Sequence, residues 1–579
     1  LMTTLINSID NTLNKVMGEN GHYMLPWSDK IEEKIVQYYF QLIRQKDMKL
    51  DKKFADLLCE IKEECCVKKR NEYMVLLYKL IGYTRDIEEG KGERLLSYKQ
   101  LYILWLSFPR LGEYMFETCV YIENKHQYGG WMDVKYMCDY VVNETKNSNH
   151  FIIEYIVNLT NFHLKKDYDK LKTRENVSLI SKWIPREKSK YKWLFKKLAK
   201  NMYSKYLFTA DTSNKLVSAR KKCYTNYRKL LSTLNRYIDT VQIKMTEKKW
   251  KYINPKKVTA ITMMKNKEAF LNRKKESMKI VERYDLEDRK ECAENFKKYF
   301  STTKTIKGKT LNTYELVREA FRYRGDKEME EIINKQWLDN SEKNYDIGNA
   351  IALVDTSGSM EIDECVPLYN AIGLGIRISE KTTSLFKNRL LTFDNEPKWW
   401  KFDEKMTFCE KCYKLKEAPW GMNTNFYKTM KMILSVIIEN NVPPEEVSNF
   451  SLIILSDMQI DESLEVLNKN FKNKYNTMMD NIKDLYKKAG LESAYDEEYK
   501  VPHIIFWNLR KTKGFPNKSM EQNTTMLSGY SSTLMNSFCD KGINELKNYN
   551  PWTMLKTILN NERYKILENH YNKLYKNNE

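Results

Sequence analysis

Ala350-Ile351-Ala352-Leu353-Val354-Asp355-Thr356-Ser357-Gly358-Ser359 is the stretch on which the fold turns. Five apolar residues in an unbroken run suit a strand buried on both faces of a parallel sheet. A carboxylate and two serine hydroxyls follow within five residues. Three similar runs come later, at Leu390–Phe393, Leu452–Leu455 and Ile504–Trp507, with helical spacing between them at 364–379, 425–439 and 463–488. Alternating strands and helices predict an α/β doubly wound domain. Such sheets bind ligands beyond the carboxyl ends of their strands. Two more oxygen-rich segments fall at such places: Gly421-Met422-Asn423-Thr424-Asn425 precedes a helical pattern, and the third run ends in Ser456-Asp457. Together these segments offer the oxygen donors that Mg²⁺ or another hard divalent cation would recruit, with water completing the shell. A capped turn without metal uses the same residue types. Strand context and the two later donors favour the metal.

Residues 1–343 have a different texture. From Ser28, placed to cap a helix, Ile31, Ile35, Tyr38, Tyr39 and Leu42 follow helical spacing. Similar stretches run through 71–84, 97–107, 111–122, 131–142, 151–164, 189–207, 224–244 and 311–322. Their cadence of roughly 20–35 residues matches stacked helix pairs of the HEAT type, although no literal repeat is present. Strand-like alternation is nearly absent. The polar segment Asp339-Asn340-Ser341-Glu342-Lys343-Asn344 separates this all-α module, 1–343, from the α/β module, 344–579.

Charge divides at the same place. The 579-residue chain has 98 Lys and Arg against 77 Asp and Glu, a net of +21 and a pI near 9.1. Residues 344–579 hold 30 basic and 31 acidic side chains, so 1–343 hold 68 and 46, a net of +22. A surface that is merely solvated would balance its signs, so this excess points to a polyanion. The densest basic region is 182–222. There Lys182, Arg186, Lys188, Lys190, Lys192 and Lys196 alternate with Tyr191 and Trp193, and Tyr203 and Tyr206 follow. Cations for phosphates and aromatic rings for unstacked bases are what single-stranded RNA requires. A solvated helix face over a packed aromatic stripe gives the same pattern for one helix taken alone.

Other function classes lose ground. At 42% apolar and 30% charged the chain can bury a core, and its 19 Gly and 12 Pro exclude collagen-like and Pro-rich classes. Eleven Cys without a regular framework suit reduced thiols. Cys409-Glu-Lys-Cys412 has zinc-knuckle spacing but no second pair to complete four ligands. The six His form neither HExxH nor HxE. Lys91 in Glu-Gly-Lys-Gly-Glu lacks the strand and the GxxxxGK[ST] of a phosphate loop, so a turn between packed helices is preferred. A mostly polar opening and the absence of any ~20-residue apolar run point to a soluble, intracellular protein in the cytoplasm, or in a virion if the source is viral.

The metal motif resembles the metal-ion-dependent adhesion site of von Willebrand factor A domains, with Asp355, Ser357, Ser359, Thr424 and Asp457 as the matching residues. That resemblance implies Mg²⁺ in the site and, in some members, an acidic residue from a bound partner completing its coordination. Four further segments resemble a large-virus and plant family of unassigned function: Asp86-Ile87-Glu88-Glu89-Gly90-Lys91-Gly92-Glu93-Arg94, Tyr128-Gly129-Gly130-Trp131-Met132-Asp133, Lys182-Trp183-Ile184-Pro185 and Phe506-Trp507-Asn508-Leu509-Arg510. The layout is similar to the TROVE proteins of the Ro autoantigen group, in which a ring of helical repeats that binds structured or misfolded RNA precedes a von Willebrand A domain. These resemblances imply a non-enzymatic RNA-binding protein of ribonucleoprotein or RNA-surveillance type. A metal-dependent protein scaffold, such as a virion or assembly component, is the alternative. A nuclease or phosphotransferase has little support, since no nucleotide motif or carboxylate cluster accompanies Asp457 and Asp461.

Overall fold

A computed structural model describes residues 16–17, 23–44, 49–276, 279–384, 386–393, 397–417, 426–458, 478–511, 514–536 and 549–575. The chain divides into two compact units. One, the sheet unit, gathers Leu1–Thr84, Glu89–Leu96 and Thr305–Glu579; the other, the helical unit, comprises Arg85–Glu88 and Ser97–Lys304.

In the sheet unit all four apolar runs are strands of one six-stranded sheet. Its strands are β1 (Ala350–Asp355), β2 (Arg389–Phe393), β3 (Lys398–Lys401), β4 (Ser451–Ser456), β5 (His503–Asn508) and β6 (Thr524–Ser528). Their spatial order is β6-β5-β4-β1-β2-β3, and every pairing is parallel except β2 with β3. Leu353 stands opposite Leu391 on one side and Ile454 on the other, and Ile454 opposite Phe506. Every residue of β1, β4, β5 and β6 is buried, which explains their largely apolar character. The segment Ile362–Lys381 opens with Asp363, Glu364 and Cys365 in left-handed conformation, and its regular helix follows. This helix lies so close to β1 that a Cβ on Gly375 would run into Val354. From β1 the chain passes to β2 and β3 on one side, then returns to β4 on the other. The β1/β4 border is therefore the topological switch point.

The polar stretch at 339–344 is a break between elements but not between compact units. The helix Lys327–Ser341 ends there and β1 begins at Ala350. Its polar side chains are fastened within the sheet unit. Asn340 donates to the carbonyls of Gly308 and Leu311, the Asp339 carboxylate accepts from Gly308 N–H, and Asn344 donates to Ser532 O. The guanidinium of Arg377 lies 3.7 Å over the Trp337 ring and donates to Asn340 Oδ1. Hydrogen bonding thus explains why Asn340 and Asn344 are buried in a sequence that reads as a linker.

The helical unit is built largely from amphipathic helices. Ser213–Ile238 buries Cys223, Tyr227, Leu230, Leu231 and Leu234 at helical spacing, and the Thr212 hydroxyl caps it by accepting from Lys215 N–H. The pattern read through 224–244 breaks at Asp239, which is left-handed at φ 50°, before a short helix at Val241–Thr246. An exposed two-stranded ribbon, Arg273–Glu276 with Lys279–Glu282, departs from the helical expectation. In the sheet unit, Ser28 is not the cap of Ile31–Gln41: Lys30 stands at that position, and the Ser28 hydroxyl accepts from Lys30 N–H.

Two of the family-like segments acquire structural roles in the helical unit. Arg85 makes a bidentate ion pair with buried Asp133, whose oxygens also accept from Tyr98 OH and Gly130 N–H. Gly129 N–H donates to Cys119 O and Ile87 N–H to Tyr128 O. The Gly-Gly-Trp-Met-Asp turn is thereby wrapped around one buried carboxylate.

Candidate functional site

Two features of the chain invite function, one in each unit. The first lies at the carboxyl ends of β1, β4 and β5, beside the switch point. Asp355 ends β1 and is buried. Its Oδ1 accepts from Ser357 N–H at 2.9 Å and its Oδ2 from Ser456 Oγ at 2.5 Å. Ser357 Oγ and Ser359 Oγ stand 2.9 Å apart. Asp457, immediately after β4, is also buried. Burial, together with repulsion from the Asp457 carboxylate, pushes the Asp355 acid up to about 7. Four of the five expected donors therefore come from adjoining strand ends, and Thr424 lies outside the described residues.

A residue that spacing did not point to completes this cluster. Arg510, just beyond β5, donates from its guanidinium to Asp457 Oδ2 at 2.9 Å. Its backbone N–H is held by Asn508 Oδ1, while Asn508 Nδ2 donates to Phe40 O. The only signal in the sequence was the Phe506–Arg510 segment, which gave no indication of this contact. Two buried carboxylates and two serine hydroxyls thus stand at neighbouring strand ends beside the Arg510 guanidinium. The all-oxygen donor set suits a hard divalent ion. Among the described residues no group of three His, Cys, Asp or Glu side chains gathers, so hydroxyls and water would have to fill the coordination shell.

The second feature is the basic surface. In the helical unit 45 Lys and Arg face 24 Asp and Glu, whereas the sheet unit holds 53 of each. The whole excess of +21 thus falls on one unit, and the parts of 1–343 outside it are almost neutral, with 23 basic and 22 acidic residues. Arg186, Lys188, Lys190, Lys192 and Lys196 are exposed, while Lys182 is half-buried with its ammonium 5.6 Å from the Trp183 ring. Lys135 approaches the same ring at 5.2 Å, and Tyr136 meets Tyr191 edge-on. Lys190 reaches toward Asp139 at 3.9 Å.

Two other candidates from the sequence are structural. Cys409 and Cys412 are buried in the helix Phe408–Lys416, and burial raises the Cys412 thiol. The ten described cysteines form no disulfide. Lys91 is enclosed in the sheet unit, donating to Tyr39 O, Leu42 O and Ser528 Oγ, with Gly92 left-handed beside it at φ 67°. No helix among the described residues is long and apolar enough to cross a membrane.

Comparison with known proteins adds likeness without assigned activity. Residues 135–343 match a family described as a domain of unknown function (DUF2828), and residues 349–573 match another, also a domain of unknown function (DUF7788). The border between the two matches falls in the polar segment before β1. An uncharacterized protein of Acanthamoeba polyphaga mimivirus, L728, is 26% identical over 509 residues, which cover 85% of this chain and 79% of the relative. Among solved structures, the RO (RSR) protein of Deinococcus radiodurans aligns with 88% of this chain and 99% of its own, at 9% identity and a TM-score of 0.31.

Proposed function

We propose that this chain is a non-enzymatic RNA-binding protein whose helical unit engages RNA. Its sheet unit would carry a von Willebrand A-type Mg²⁺ site able to receive a carboxylate from a protein partner. The observation that carries the RNA reading is the charge partition: a neutral unit and a unit of net +21 belong to one chain. Polyanion affinity scales with the phosphates neutralised, and it falls with salt for that reason. Arg186, Lys188, Lys192 and Lys196 are exposed and placed to supply such contacts.

A test on the full chain measures RNA binding by fluorescence anisotropy across a salt series, with and without Mg²⁺. Binding that weakens steeply with salt and survives Asp355→Ala supports RNA engagement away from the metal site. Calorimetric titration with Mg²⁺ should show one site in the wild type and none in Asp355→Ala. Asp355 beside Asp457 favours a second reading, a metal-dependent protein scaffold. Mg²⁺ binding without RNA affinity at low salt would select it.

A further inference from the structure

We propose that the junction of the helices Lys192–Met202, Lys205–Phe208 and Ser213–Ile238 is a stacking site for unpaired nucleotides of a single-stranded nucleic acid. This deepens, and rests on, the RNA-binding reading above, and it places the contact C-terminal to the stretch Lys182–Lys196. Three observations converge there. Phe208 is 85% exposed, the most exposed large apolar side chain among the described residues. Beside it in sequence, the rings of Tyr203 and Tyr206 lie 6.1 Å apart and nearly parallel, at 17°. The Tyr206 hydroxyl accepts from Asn226 Nδ2 at 3.3 Å, which fixes the ring, and the ammonium groups of Lys222 and Lys205 stand 4.7 and 5.5 Å from its centroid.

The second observation is charge that lacks a counter-ion. Some exposed cations of this unit meet carboxylates, as Lys215 with Asp211, Arg228 with Glu187 and Lys172 with Asp169. Among the described residues Lys200, Arg220 and Lys222 are joined to none. Burial and the nearby cations Arg220, Lys196 and Lys197 lower the Lys200 ammonium, so like charges are crowded on this face. An anion relieves that repulsion. Thirdly, the long helix is held against the turn that bears the tyrosines, because Cys223 Sγ meets Tyr203 O at 3.4 Å, and Phe208 closes the short helix that follows. An exposed phenylalanine ring and two half-buried tyrosine rings among cations suit bases that offer their faces and phosphates that alternate with them. A duplex hides its base faces, so the unpaired strand is the better fit.

The test uses the full chain with labelled 12-nucleotide oligo-U and oligo-dT, a 12-base-pair RNA duplex, inorganic polyphosphate as competitor, and phosphatidylserine vesicles. Oligo-U and oligo-dT should both bind more tightly than the duplex, since every base has a face to stack. Phe208→Ala should weaken both by about 5- to 100-fold. Phe208→Trp should retain binding, and polyphosphate should compete equally with the wild type and Phe208→Ala. Lys200→Gln with Arg220→Gln should weaken every polyanion. Unchanged oligo-U binding by Phe208→Ala, or duplex binding as tight as single-strand binding, overturns the stacking site but leaves polyanion binding standing. Phe208-dependent binding to vesicles and not to oligonucleotides overturns it in favour of a membrane contact. Failure of the wild type to bind any nucleic acid or polyphosphate overturns both this site and the RNA reading.

Discussion

Arg510 brings the guanidinium that meets Asp457 from 53 positions away, and no local spacing connects the two. Asp355 and its hydroxyl neighbours were legible because five positions hold them all; Arg510 was not, because only the pairing of β4 with β5 creates the contact. Arg510 is 28% exposed and Asp457 is buried, so removing the guanidinium leaves a carboxylate short of its cation. Arg510→Gln should cost about 1–3 kcal/mol in metal-free buffer, below the range of fully buried pairs because solvent reaches the arginine. Added Mg²⁺ should restore part of that stability if the ion binds beside Asp457. Urea unfolding with and without MgCl₂ measures both, and an absence of any Mg²⁺ effect on either protein would count against the site. His503, at the start of β5, gives a pH signature. Burial lowers its folded pKa to about 4, with Thr525 Oγ1 3.0 Å from Nε2. The unfolded chain takes up the proton near pH 6.5, before the folded one does. Stability is therefore whole above about 6.5 and declines as pH falls toward 4, by at most about 3 kcal/mol for this group. His503→Gln should flatten that part of the profile in pH-dependent denaturation; an unchanged slope would show that other groups set it.

Among elements, hydropathy exposed the strands buried through apolar side chains and hid those that use other means. β3 reads Lys398-Trp399-Trp400-Lys401 on the antiparallel edge, where charge guards against further pairing. β6 is fully buried, yet its Thr524, Thr525 and Ser528 interrupt the apolar pattern; Thr525 meets His503, and Ser528 donates to Tyr39 O. The turn at 128–133 shows the same limit for glycine. Both Gly129 and Gly130 stood in the motif, but only their surroundings tell them apart. A Cβ on Gly129 would meet the Asp133 carboxylate and the Arg85 guanidinium, which are locked together, whereas one on Gly130 would meet nothing within 4 Å. Gly129→Ala should therefore cost about 2 kcal/mol or more, and Gly130→Ala less than about 1 kcal/mol. Thermal melts should separate them by several degrees. Equal melting temperatures would mean that the ion pair yields more readily than its burial implies.

At the scale of the whole molecule, the sequence located the charge asymmetry, and the compact units narrow where it lies. A division at 343 and 344 assigns the excess to 1–343, and within that stretch nearly all of it falls on residues 85–88 and 97–304. Chain order alone does not reveal this, because residues 85–88 join a unit whose other members begin only at Ser97. The consequence is a salt experiment on the intact chain. Removing one lysine that neutralises a phosphate of a single strand should flatten the dependence of log K on log salt by ~0.7. Converting Lys188, Lys192, Lys196 and Lys200 to Gln in the helical unit should thus reduce the slope by up to ~2.8. Converting four exposed lysines of the sheet unit, Lys52, Lys68, Lys405 and Lys573, to Gln removes the same formal charge. If net charge alone attracted RNA, the two sets would weaken binding alike, since each lowers the total from +21 by the same amount. Binding confined to the helical unit requires instead that the second set leave the slope unchanged and shift affinity only slightly through long-range attraction, which physiological salt screens over about 8 Å. An equal fall in slope for both sets would place RNA on both units and refute the partition as the basis of binding.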